Sequence, residues 1–170
     1  MSRWFVALVL CGAAWLEPSQ GLGCELLGCK LSCERPFVAE VMAASRATGV
    51  SKELLWAVMA VESANNPRTV SQAGAKGLMQ LMPITAKEFG VEDPFEPGPN
   101  ILAGAKLLGR LIIKFDGDFD RVMASYNAGH VIVVKVEGIP SKRVRAYVRG
   151  VYTRYFLERR RTSMCAARSL

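Results

Sequence analysis

The sequence predicts an all-α fold in a single domain, and three features carry that prediction. Apolar residues recur at helical spacing through most of the chain after the first thirty-five residues. No segment alternates apolar and polar residues for long enough to indicate a sheet. Residues that begin or end helices stand at the ends of the apolar stretches. The chain has 170 residues, of which 51% are hydrophobic, as is usual for a globular domain. This composition excludes the disordered and fibrous classes of protein.

The first two predicted helices are separated by a glycine. Residues 36–48 are rich in alanine and carry apolar side chains on one side, and Gly49 supplies a C-terminal stop. Ser51 is placed to cap a second helix over residues 52–62, because its side-chain oxygen can accept from a free amide of the first turn.

A loop and a short helix follow. Residues 64–77 are rich in Asn, Pro, Ser and Gly, which is typical of a loop. Pro83 suits the first turn of a helix over residues 84–89, and residues 93–99 form another predicted break.

The longest amphipathic stretch spans residues 101–115, with Asn100 predicted as its N-cap. Its apolar face comprises Ile101, Ala105, Leu108 and Ile112. A short helix is predicted over 119–126. The β-branched segment 131–136 is also assigned as helix, and Ser141 caps a last helix that runs past Tyr155.

Positive charge is concentrated in this last helix. The whole chain has a net charge of +7, whereas residues 141–170 carry nine basic side chains and the single acid Glu158. Residues 1–140 are therefore close to neutral. The basic end fits contact with nucleic acid, anionic lipid or a wall polymer, and equally a solvated helix face.

The N-terminus has the layout of a secretion signal. Arg3 precedes an unbroken apolar run over residues 4–16, which is shorter than the stretch of about 20 residues that spans a bilayer. Small residues suit cleavage before Cys24 or before Leu22, and an uncleaved anchor is the alternative. We expect export to the periplasm or cell envelope.

Export implies an oxidising compartment, where cysteines form disulfides. Four cysteines remain after removal of the signal, and they allow three pairings: Cys24, Cys29, Cys33 and Cys165. Zinc is disfavoured because their spacing lacks a C-x2-C pair and the single histidine, His130, is distant in sequence.

A carboxylate interrupts the apolar face of the second helix. Glu62 stands four residues after Val58 and seven after Leu55, both on the buried stripe. Burial there, together with the negative end of the helix dipole, raises the pKa of a carboxyl group, which is what a general acid requires. The alternative is a helix-end glutamate that turns out to solvent.

The segment after that helix has the composition of a cleft wall. Residues 73–83 combine glycines and alanines with one polar residue, Gln80, among apolar neighbours. An apolar pocket with a few amides suits amphipathic sugars, whose ring faces and N-acetyl groups need both kinds of contact. Packing in the core is the alternative for Met79, Leu81 and Met82.

Several motifs in fixed order resemble the catalytic domain of the soluble-type (SLT) lytic transglycosylases. They are ES at 62–63, VSQAGAKGLMQLMP at 70–83, NI and AGA within 100–105, SYNAG at 125–129, and a proline at 140 followed by YV at 147–148. The resemblance implies a lysozyme-like fold related to goose-type lysozyme. It also implies cleavage of the β-1,4 bond between N-acetylmuramic acid and N-acetylglucosamine in peptidoglycan, with no cofactor or metal.

By position, the resemblance implies that Glu62 is a single catalytic acid and base whose product is a 1,6-anhydromuramoyl sugar. It implies that further residues line the cleft, bind the sugars or support the acid: Ser63, Ser71, Gln80, Met82, Tyr126, Asn127 and Tyr147. Two positions depart from the family pattern. Arg143 stands where the family usually has glutamate, and His130 follows the SYNAG motif where a proline is usual.

The resemblance divides the chain into a signal peptide (1–23), a cysteine-containing segment (24–35), an SLT catalytic domain (36–157) and a basic C-terminal tail (158–170). Expected partners are peptidoglycan strands, an envelope-spanning secretion, conjugation or motility assembly, and an anionic envelope surface at the basic end. Nucleic acid is not expected in that compartment. A lysozyme-type muramidase and a non-catalytic peptidoglycan-binding scaffold are the alternative functions.

Overall fold

The computed structural model describes residues 33–167, so the predicted signal peptide, Cys24 and Cys29 lie outside the described residues. Across that range the chain forms helices and no strand. They are α1 (Val38–Thr48), α2 (Lys52–Ser63), α3 (Pro83–Glu88), α4 (Pro97–Lys114), α5 (Phe119–Ala128), α6 (His130–Lys135) and α7 (Lys142–Ala167). The predicted all-α class is confirmed.

Local signals place the end of α1 and the starts of α2 and α7 as predicted. Gly49 ends α1 with a φ of 72°, a conformation that costs glycine little. Ser51 Oγ accepts from the amide of Leu54 at the start of α2, and Ser141 Oγ accepts from Val144 at the start of α7. The segment 131–136, rich in β-branched residues, is helical as assigned.

The core surrounds α2. This helix packs against α7, α1 packs against α4, and α5 contacts α4, α6 and α7. Leu55, Val58 and Met59 of α2 are fully buried, as are Ile101 and Leu108 of α4. The apolar stripes predicted for these two helices therefore face the same core.

The prediction that Asn100 caps α4 is wrong. The helix begins at Pro97, four residues before the predicted start at Ile101, and Asn100 lies inside it with no exposed surface. Prolines at 97 and 99 fit the first turn because the amide that proline lacks has no helical partner there. No side chain caps this end of α4.

A disulfide and an ion pair attach the segment before α1 to α7. Cys33 and Cys165 are joined, which selects one of the three pairings the sequence allows. Arg35 Nε lies 2.8 Å from Glu158 Oε2, and its guanidinium stacks 4.6 Å from the ring of Trp56 in α2. These contacts hold the segment before α1 against α2 and α7.

The last helix continues beyond the predicted domain boundary. Residues 158–167, assigned from the sequence to a basic tail, extend α7 without a break. Within residues 33–167, no helix has both the length and the apolar character needed to cross a bilayer.

Candidate active site

Glu62, in the last turn of α2, contacts a tyrosine of α7. Tyr147 Oη donates a 2.6 Å hydrogen bond to Glu62 Oε1. Burial raises the pKa of Glu62 above its ordinary value of 4.5, and the hydrogen bond from Tyr147 opposes part of that rise. Glu62 therefore keeps its proton to higher pH than an exposed glutamate, in the direction that its place on the apolar face predicts.

Glu62 lines a cleft of about 400 Å³. Five of the residues predicted as cleft residues lie there with it: Ser71, Gln80, Met82, Tyr126 and Asn127. Ala73 and Ala75, from the segment predicted as a cleft wall, also line it, and so do two residues that were not predicted as lining, Gln72 and Arg143. The structure thus assembles one site from α2, the following loop, α5 and α7.

The loop after α2 forms one wall of this cleft and is braced internally. Isolated antiparallel bridges pair Lys76 with Val70 and with Leu81. Gln80 has a φ of 48°, and its Nε2 donates to Thr69 O at 3.1 Å and to Gly77 O at 2.9 Å. The amide nitrogen of Gln80 therefore supports the wall.

Asn100 attaches this loop to α4, a role that its sequence context did not reveal. Its Oδ1 accepts from Met79 N at 2.8 Å, and its Nδ2 donates to Lys76 O at 3.1 Å and to Pro94 O at 2.8 Å. A Cβ at Gly77 would lie 2.1 Å from Pro94 O, so only glycine fits beside the amide. Three hydrogen bonds from one buried side chain fix the back of the cleft wall.

Two residues of α5 face the cleft from the other side. Tyr126 Oη donates to Met79 O at 2.8 Å, which ties α5 to the braced loop. Burial, and then the charge of Glu62, raise the pKa of Tyr126 well above its ordinary value of 10.0, so the phenol remains a donor. Buried Asn127 Oδ1 has no hydrogen-bond partner among the described residues. Its side-chain oxygen is therefore an unsatisfied acceptor in the cleft lining.

Tyr147 and Arg143 lie one turn apart on α7. Burial first, and then the charges of Glu62 and Tyr126, raise the pKa of Tyr147 well above 10.0. Arg143 precedes Tyr147 by four residues and shares its helix face, and it lines the cleft. The sequence marked Arg143 as a departure from the family pattern, and its spacing from Tyr147 was the signal that it reaches the site.

The structure does not place Ser63 in the cleft, although Ser63 was predicted to bind substrate or support Glu62. Ser63 is buried, and its hydroxyl donates back to Met59 O at 3.0 Å. One step along a helix turns a side chain about 100°, which directs Ser63 away from the face that Glu62 occupies. His130 begins α6 and is exposed outside the cleft lining.

Comparisons with known proteins agree with this arrangement. A transglycosylase of enterobacteria phage PRD1 is 42% identical over 87 residues, which are 51% of this chain and 32% of that protein. The soluble lytic murein transglycosylase of Salmonella typhimurium is 32% identical over 149 residues, 71% of this chain and 23% of that protein. The chain spans about a third or less of the length of these relatives.

The fold also matches a solved structure of the lytic transglycosylase Slt from Pseudomonas aeruginosa, determined as an inactive Glu-to-Gln variant. The TM-score is 0.67 at 26% identity, over 75% of this chain and 24% of that one. The model of the transglycosylase SLT domain matches residues 40–147, which contain Glu62, the braced loop and Tyr147. The chain belongs to the SLT transglycosylase domain family.

Proposed function

We propose that this protein is a peptidoglycan lytic transglycosylase in which Glu62 acts alone as acid and base. One observation carries the proposal: Glu62 is the single carboxylate among the described residues that line the cleft, and its pKa is raised. Glycosidases that use water or a covalent intermediate ordinarily place a second carboxylate across the scissile bond. A site with one acid suits a substrate that supplies its own nucleophile.

In the first step Glu62 donates its proton to the oxygen between N-acetylmuramic acid and N-acetylglucosamine. The C1–O bond breaks, and the muramoyl ring acquires oxocarbenium character. The new carboxylate is stabilised by the hydrogen bond that Tyr147 Oη already donates to Glu62 Oε1. The raised pKa of Glu62 favours the protonated acid that this step needs.

In the second step the carboxylate of Glu62 takes the proton of the muramoyl 6-hydroxyl as that oxygen attacks C1. The products are a 1,6-anhydromuramoyl end and a free N-acetylglucosamine end. One proton leaves Glu62 and one returns, so the enzyme is regenerated and no water is consumed.

The remaining cleft residues suit an amphipathic amino sugar. Exposed Met82 offers an apolar surface to a ring face, and Asn127 contributes a side-chain amide to the cleft lining. Tyr126 holds the cleft wall through the hydrogen bond that it donates to Met79 O. The names of the relatives, which are lytic murein transglycosylases, and the inactive Glu-to-Gln variant of the Pseudomonas structure support the same substrate and the same kind of acid.

The predicted signal peptide places this activity in the periplasm or cell envelope. The proposed role is local opening of the wall where a secretion, conjugation or motility assembly is built. The basic end of α7 is the proposed contact with an anionic envelope surface.

Arg143 favours a second candidate, a peptidoglycan-binding protein without catalytic activity, because it replaces the glutamate usual in the family. The test is to incubate wild type and Glu62→Gln with isolated peptidoglycan and identify the released fragments by mass spectrometry. We expect anhydromuramoyl fragments from wild type and a rate lowered by about 10²–10⁴-fold in the variant. Fragments with reducing muramoyl ends would indicate a muramidase, and binding without release would favour the scaffold.

A further inference from the structure

Arg143 is the single cation among the described residues that line the cleft. Apart from Glu62 and Tyr126, the rest of the lining consists of serine, amide and apolar side chains. Because arginine stays charged at any physiological pH, this cleft carries a permanent positive charge in the same lining as Glu62, whose pKa is raised by burial.

The guanidinium of Arg143 has no ion-pair or hydrogen-bond partner among residues 33–167. The first turn of α7 contains no acid that could neutralise it. Glu62 does not serve as its partner, because no ion pair joins the two side chains among the described residues. By contrast, Arg35 and Arg110 each pair with a glutamate.

The position of Arg143 places this free cation next to the chemistry. Residues four apart on a helix lie on one face, about 6 Å apart along its axis. Tyr147, four residues on, holds Glu62. The positive end of the α7 helix dipole adds positive potential in the same place. An anionic group carried by the sugar beside the scissile bond would therefore meet Arg143.

We propose that Arg143 forms a subsite for a carboxylate carried by the muramoyl residue in the cleft. This inference rests on the proposed function, because the acidic groups of peptidoglycan are carboxylates on the lactyl ether or the stem peptide of that residue. The planar guanidinium matches a carboxylate through two parallel hydrogen bonds. The two sources present the same chemistry at different distances from the ring.

Three substrates distinguish the sources: glycan strands with stem peptides, strands stripped of peptides so that the lactyl carboxylate is free, and stripped strands whose lactyl groups are converted to neutral methylamides. The variants are Arg143→Gln, Arg143→Lys and the matched control Arg145→Gln. Arg145 is exposed two residues further along α7 and does not line the cleft.

On a carboxylate-bearing strand we expect Arg143→Gln to raise KM about threefold to tenfold and to leave kcat nearly unchanged. This magnitude lies between the effects of losing an exposed ion pair and a desolvated one. On the methylamide strand the KM of Arg143→Gln should equal that of wild type. On carboxylate-bearing strands the KM of Arg143→Lys should lie between those of wild type and Arg143→Gln. Arg145→Gln should match wild type on every substrate. Loss on stem-bearing strands alone identifies a stem carboxylate, and loss on stripped strands identifies the lactyl group.

The subsite would be overturned if Arg143→Gln had the same KM as wild type on all three substrates. It would also be overturned if Arg145→Gln raised KM as much as Arg143→Gln does. A binding measurement separates this result from failure of the proposed function. Glu62→Gln, with and without Arg143→Gln, is titrated with the three labelled strands, so no cleavage is needed. If wild type cleaves nothing yet Arg143→Gln weakens binding of charged strands alone, the subsite stands and the proposed reaction fails.

Discussion

Replacing Asn100 by alanine tests whether one buried side chain holds the cleft wall in place. Asn100 makes three hydrogen bonds, to Met79 N, Lys76 O and Pro94 O, and has no exposed surface. The alanine variant leaves Met79 N and Pro94 O without their partner, whereas Lys76 O keeps the hydrogen bond from Leu81 N.

The expected cost follows from these three bonds. Each contributes about 1 kcal/mol net, and an unpaired buried group adds a desolvation cost of about 1–3 kcal/mol unless water reaches it. We therefore expect Asn100→Ala to lower the free energy of unfolding by about 3–5 kcal/mol, a large part of the total of about 5–15 kcal/mol for a typical domain.

Urea unfolding followed by circular dichroism measures this change, with Asn66→Ala as the matched control. Asn66 is exposed and accepts one hydrogen bond, from Arg68 N, so its loss should cost less than about 1 kcal/mol. Asn100→Asp keeps an acceptor for Met79 N but faces two carbonyls with a second acceptor, and it should be at least as unstable as alanine at neutral pH. A loss below about 1 kcal/mol in Asn100→Ala, or one equal to that of Asn66→Ala, would refute the reasoning.

Three further predictions concern the acid and the disulfide. The pKa of Glu62 is higher in the folded chain than its ordinary value, so the folded state keeps the carboxyl proton to higher pH. The stability that the protonated carboxyl allows is lost as pH rises from the unfolded to the folded pKa. Glu62→Gln should therefore unfold at a higher temperature than wild type at neutral pH, with a smaller difference in acid, measured by calorimetry across pH. Tyr147→Phe removes the hydrogen bond that lowers the pKa of Glu62. The alkaline limb of the variant's pH profile of kcat should therefore shift to higher pH, and kcat should fall about tenfold. An unshifted limb would contradict this role of Tyr147. Replacing Cys33 and Cys165 by alanine opens a link across a sequence separation of 132 and should cost about 2–4 kcal/mol in denaturant unfolding.

The helices and the acid were predictable because their signals are local. Gly49, Ser51 and Ser141 act on amides and carbonyls within a few residues of themselves, so the helix ends follow from sequence alone. The position of Glu62 on an apolar face likewise follows from spacing within one helix. The resemblance to the family then indicated which loop and helix residues meet it.

The unpredicted features depend on contacts between distant segments. Asn100 has the residue type and position of an N-cap, yet its partners lie up to 24 residues away in the chain. Ser63 adjoins Glu62 in sequence, but the helix turns it toward Met59 O. The pairing of Cys33 with Cys165 could be chosen only once the fold brought the segment before α1 to the end of α7.

The most direct test of the single-acid mechanism is the reaction of wild type with isolated peptidoglycan in water enriched in heavy oxygen. In the mechanism built on Glu62, the muramoyl 6-hydroxyl is the nucleophile, so solvent oxygen does not enter the product. We predict anhydromuramoyl ends that carry no heavy oxygen by mass spectrometry, and none of these ends from Glu62→Gln. Reducing muramoyl ends that carry heavy oxygen would contradict the account, because water would then be the nucleophile.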